Sequence, residues 1–130
     1  MKTLHLLIMC LALALSNARA EGEIPKDELP IFVSMLPHFT VNLGDGTFLQ
    51  MEAQTLVRDD DTKMSMERYM PAVRHNVIMY LSDMFPDDLR TARQREDLRE
   101  DIASIIRTTL KEKGEKDGVK GFFITSMIMQ

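Results

Sequence analysis

The sequence predicts an α+β fold: a small antiparallel sheet, made of a hairpin plus a C-terminal strand, packed against two helices. Three observations carry this. Residues 39–58 alternate with a period of two around a glycine-rich turn. Residues 66–110 hold two apolar stripes at helical spacing. The chain then closes on GFFITSMIMQ, which bears no charge. A free edge of that composition recruits other strands, so the last segment is expected to pair inside the fold.

The first twenty residues stand apart. Lys2 supplies a positive start, residues 4–15 an apolar run, and Ala18-Arg19-Ala20 a small-x-small cleavage site ahead of Glu21. The run is shorter than the roughly 20 apolar residues that a spanning helix needs. Residues 1–20 therefore read as a cleavable secretory signal. Cys10 sits within the apolar run after Met9, where a lipid-bearing cysteine does not belong. Without that segment no cysteine is left, which excludes a disulfide framework and a thiol nucleophile. Removing Lys2 and Arg19 leaves fourteen basic against twenty acidic residues, a net charge of −6. Nucleic acid is excluded as a partner, because neutralising phosphates needs a basic surface. The expected product is a small acidic domain in the bacterial periplasm or outside the cell.

Residues 21–37 open with EGEIPKDELP, polar and twice broken by proline, and read as a tether rather than a strand. The domain proper is placed at 38–130. Phe39-Thr40-Val41-Asn42-Leu43 alternates, Gly44-Asp45-Gly46 turns, and residues 47–58 alternate again. Leu49, Met51, Ala53, Thr55 and Val57 then share one face, opposite Gln50, Glu52 and Gln54, which is a hairpin with one solvated face. After three aspartates, Met66, Met70, Val73, Val77, Leu81 and Met84 form a helical stripe. Pro71 interrupts it, and an interior proline costs about 3 kcal/mol, so a kink or a fresh helix start is expected there. Thr91 and Gln94 fit a capping box ahead of a second stripe, Leu98, Ile102, Ile105, Ile106 and Leu110, with Gly114 as its left-handed cap. Arg95 and Arg99 read as exposed charges on that helix. The final strand, Val119 to Met129, pairs with the hairpin.

Chemistry-bearing groupings are sparse. Beyond the signal the histidines are His38 and His75, without zinc or triad spacing, and the aspartate runs lack the spaced ligands of a calcium loop. No catalytic, cofactor-binding or metal-binding residue is assigned, and no cofactor is expected. Met64-Ser65-Met66 with Met70 offers thioethers of the kind that hold Cu(I), but Met66 and Met70 already belong to the apolar stripe.

The segments HFTVNLGDGTFLQMEAQTL, MPAVRHNVIMYLSDMF, LRTARQREDLREDIASIIRTTL and VKGFFITSMIMQ, in that order, resemble the FliL family of flagellar basal-body-associated proteins. The resemblance rests on Phe39, Asn42 and Leu43 at the start of the long hairpin, on Pro71 and Arg74 opening a helix, and on Phe122, Phe123 and Gln130 in the closing strand. It covers about residues 37–130. It implies a periplasmic domain of the stomatin/prohibitin type, assembled as a homo-oligomeric ring beside or around the stator, the ion-driven MotA/MotB complex. The implied role is non-enzymatic: supporting or controlling flagellar rotation in swimming, swarming and chemotaxis at the inner-membrane basal body. Family members usually keep an N-terminal membrane helix, whereas a cleavable signal is read here. That departure implies a soluble paralogue, held at the membrane through partners, or an unusually short anchor. An exported adaptor outside the flagellum and a methionine-based periplasmic metal carrier are the competing readings.

Overall fold

Residues 29–130 are described by the computed structural model; the signal segment, the cleavage-site residues Ala18, Ala20 and Glu21, and the tether as far as residue 28 lie outside them. The sheet is built on one strand. Phe48–Val57 (β3) carries Leu49, Met51, Ala53, Thr55 and Val57 on its buried face, as the alternation requires. Phe39–Asn42 (β2) pairs antiparallel with its first half, Asn42 facing Phe48 and Phe39 facing Met51. Val119–Met129 (β4) runs antiparallel along the other edge of β3 over nearly its whole length. The apolar tail is thus a sheet strand, and Phe122 is fully buried.

One expectation is corrected. The stretch read as a tether contributes a strand, Ile31–Ser34 (β1), which pairs antiparallel with Gln54, Thr55, Leu56 and Val57 of β3. β1 and β2 lie end to end on one edge of β3, with Pro30 and Pro37 in the flanks, where a missing donor breaks no ladder bond. Val33 and Met35 alternate inward, and the buried Thr55 hydroxyl donates to Met35 Sδ at 3.4 Å.

Three α-helices cover the inner face. Asp60–Arg68 (α1) starts at Asp59, whose carboxylate accepts from the Thr62 amide at 2.8 Å and its hydroxyl at 2.7 Å. Met70–Ser82 (α2) begins afresh one residue later, with Pro71 in its first turn, where amide donors have no helical partner anyway. A 3₁₀ turn, Pro86–Leu89, buries Leu89 and leads to Ala92–Glu112 (α3). The α3 capping box is present: the Gln94 amide donates to Thr91 Oγ1 at 3.1 Å and the Thr91 amide to Gln94 Oε1 at 3.0 Å. Leu98, Ile102, Ile106 and Leu110 are buried, Ile105 is half-buried, and Gly114 takes φ +79° beyond the helix end.

Polar ties fix how the layers meet. Asn76 donates to Thr109 Oγ1 at 2.8 Å and the Tyr80 hydroxyl to Asp101 at 2.7 Å, both joining α2 to α3. Partial burial and then the Asp101 contact push the Tyr80 phenol well above its ordinary value. At the other end Gly118 passes so close to α1 that an added Cβ would stand 1.8 Å from Thr62 Oγ1.

Two consequences are measurable. Phe122→Ala is expected to cost about 3–5 kcal/mol, whereas Met66→Leu, which nearly conserves volume, costs less than about 1.5. Urea unfolding with an unchanged denaturant slope distinguishes the two. The Thr62 bonds hold the Asp59 carboxyl below its ordinary value of 3.8. A depressed folded value means stability that is present above the unfolded value and is lost as pH falls below it. Asp59→Asn keeps an acceptor without the charge, so its stability is expected to vary less with pH between about 5 and 2.

Candidate functional site

The residues singled out in the sequence fall into three groups, and each is held by the fold. Phe39 is fully buried, and the Arg74 guanidinium stacks on its ring at 4.5 Å from the centroid. Pro71, one turn earlier, opens the helix that places this arginine. Partial burial lowers the Arg74 value, and its Nη1 is enclosed without a hydrogen-bond partner among the described residues. The aromatic face supplies the compensation that a carboxylate otherwise would.

Asn42 and Gln130 meet at the turn end of the sheet, on opposite sides of Phe48. Asn42 faces Phe48 across β2–β3, and Phe48 exchanges both backbone bonds with Gln130 at 2.9 Å. Leu43 is buried beside them and closes the turn, accepting from the Gly46 amide and donating to the Thr47 carbonyl. Gly44 packs beneath the Phe85 ring, and its amide donates to Met84 at the end of α2.

The third group is on the outer edge of β4. Phe122 points into the core, while Phe123 stands on the outer face, half-exposed and edge-on to Phe32 at 6.0 Å between centroids. Arg99 of α3 reaches round this edge. Its Nε donates to the Phe122 carbonyl at 2.8 Å, its guanidinium lies 4.6 Å from the Phe123 centroid, and Glu96 pairs with it. Two helical turns on, Arg107 repeats the contact, donating to the Val119 carbonyl at 2.9 Å. The helix therefore closes the first half of a strand edge with two cationic forks.

This corrects the reading of Arg99 as an exposed helix charge; Arg95 is exposed, as read. Arg99 is partly buried against β4, and Arg95 donates to the carbonyls of Leu89 and Arg90. The i, i+8 spacing of Arg99 and Arg107 on one helix face was the available signal, but only the strand's position gives it meaning.

Other candidates are dispersed. His75 is exposed, and His38 lies 3.5 Å from Glu52 on the solvated face. Among the described residues no three histidine, cysteine or acidic side chains gather as a metal site. Met66 is fully buried while Met64 is largely exposed, as positions two apart on a helix must be, so these two do not face one ligand. No helix among the described residues is long and apolar enough to cross a membrane.

Replacing both edge arginines, Arg99→Ala with Arg107→Ala, is expected to cost about 1 kcal/mol each and to release the carbonyls of Val119 and Phe122 on an edge whose one charge is Lys120. Light scattering against concentration checks this, and association should rise well above that of the parent.

The family described as flagellar basal body-associated protein FliL matches residues 32–130 of this chain. The flagellar protein FliL of Escherichia coli strain K12 is 28% identical over 102 residues, an alignment covering 78% of this chain and 66% of that protein. The flagellar protein FliL of Shigella flexneri is similar to the same extent. The chain thus spans slightly under two thirds of the length of these relatives.

Proposed function

The chain belongs to the FliL family of flagellar basal body-associated proteins, and on that premise we propose that it is a non-enzymatic accessory of the basal body. In this reading it associates with the stator and supports or controls flagellar rotation in swimming, swarming and chemotaxis. The observation that carries the proposal is the extent of the family match, which takes in nearly every described residue, from β1 to the end of β4. Relatives bearing the name flagellar protein FliL support it.

The physical side of the proposal is that the domain acts through contact. Its distinctive side chains, Arg74, Arg99 and Arg107, are committed to an aromatic ring and to strand carbonyls rather than converging on one reacting point. A rigid sheet with helices on one face and backbone edges on its flanks suits assembly with neighbours: a ring of like copies, and the stator beside it. The site of action is the periplasmic side of the inner membrane. The chain is held there through partners or through a short N-terminal anchor.

A domain that acts by holding stator units in place changes their number or their endurance under load, not filament assembly. Deletion of the gene is expected to leave filaments intact and to lower single-motor speed most under viscous load, with impaired swarming. Motor speeds and step counts equal to those of the parent would sink the proposal and leave an exported adaptor as the better reading.

A further inference from the structure

We infer that the second half of the outer β4 edge, residues 124–129, is a strand-addition site for an extended segment of another protein carrying an acidic side chain. The backbone gives the first reason. Phe48 and Gln130 exchange both bonds, and the register pairs Gln50 with Ile128 and Met51 with Met127. In an antiparallel ladder, paired residues alternate between bonding each other and pointing their groups away. Met127 and Met129 thus present N–H and C=O groups outward, and β4 pairs only with β3 among the described residues. Arg99 and Arg107 close this edge only as far as Phe122.

Sequence supplies the second reason. Edges meant to stay bare are blunted by charge or proline, and residues 121–130 contain neither. The third is shape and charge. Between this edge and the start of α3 runs a groove of about 370 Å³, with Ala92, Arg95, Glu96 and Arg99 on one wall and Ile124 and Met127 on the other. Glu96 is paired with Arg99, whereas among the described residues Arg95 bonds backbone carbonyls and has no carboxylate partner.

That charge selects the occupant. A second copy pairing through its own β4 brings no acidic side chain to Arg95, since residues 121–130 have none. Among the described residues the chain's first strand is already spent on the opposite edge of β3, where Ile31 pairs with Val57. A separate chain with a carboxylate among β-forming residues satisfies both the edge and the arginine. This inference stands apart from the flagellar reading, because it concerns the edge alone.

The probe is the capped peptide Thr-Val-Thr-Glu-Val-Thr-Val-Thr, with its glutamine counterpart, added to the full chain. Saturating peptide is expected to slow amide exchange at Met127 and Met129 by about tenfold or more. The glutamine peptide should bind about fivefold more weakly, and Arg95→Gln should remove that difference. Met129→Pro deletes an outward donor at an exposed side chain, so it should abolish protection with an unchanged melting profile; Met127→Pro, which also removes a side chain packed on the core, is expected to lower the melting temperature. Equal binding of the two peptides, or no protection at these amides, overturns the inference. So does protection without peptide: dependence on protein concentration would assign the edge to a second copy, and independence would assign it to residues 1–28.

Discussion

Every strand of the sheet hydrogen-bonds to β3, and among the described residues β3 is the one strand with both edges filled. This arrangement sets the rest of the molecule. β1 and β2 must share one edge because each is only four residues long, whereas β4 spans the other alone. All three present their apolar residues to the face that β3 buries, so α1, α2 and α3 must lie together on that side. The bulges in the β3–β4 pairing, near Ala53 and Val57, are the adjustments that let so long a pair keep its inward residues inward.

Placing a strand that is charge-free beyond Lys120 at an edge creates the problem that α3 then partly solves. Lys120 blunts the start of this edge, but residues 121–130 contain no lysine or proline to blunt the rest. The protection comes instead from arginines eight apart on α3, whose planar forks can satisfy a carbonyl and cover an aromatic ring together. Arg74 does the complementary work near the other flank. It covers Phe39 of β2 with a cation whose aromatic neighbour offsets partial burial. Arginine suits both places because its charge is spread over a flat, weakly hydrated group.

What the sequence made legible was local. The alternation of β3, the Thr91–Gln94 box, the restart at Pro71 and the cap at Gly114 each depend on residues within a turn or two, and all are present. β1 was missed because four residues between prolines carry too short a pattern, and their partner lies more than twenty residues away. Arg99 was misread for a related reason. An arginine on an exposed helix face looks solvated until the strand carbonyl it meets is known. Phe39, Arg74, Phe122 and Phe123 were picked out by resemblance; their pairing with one another or with α3 is a tertiary fact.

The same separation bears on how such a domain acts. Its core and caps are self-sufficient, with Phe122, Met51 and Ile102 buried and the helix ends closed from within. Described features little spent on internal contacts include several at the turn end of the sheet and along the open part of β4: the exposed Phe48 and Ile128, the outward groups of Met127 and Met129, and the charge on Arg95. Contacts made there add to a finished fold and draw little on its stability. A partner can therefore engage or leave while the domain stays folded. Arg99 joins the two regimes, since the residue that closes the first half of the edge also forms a wall of the groove beside the second.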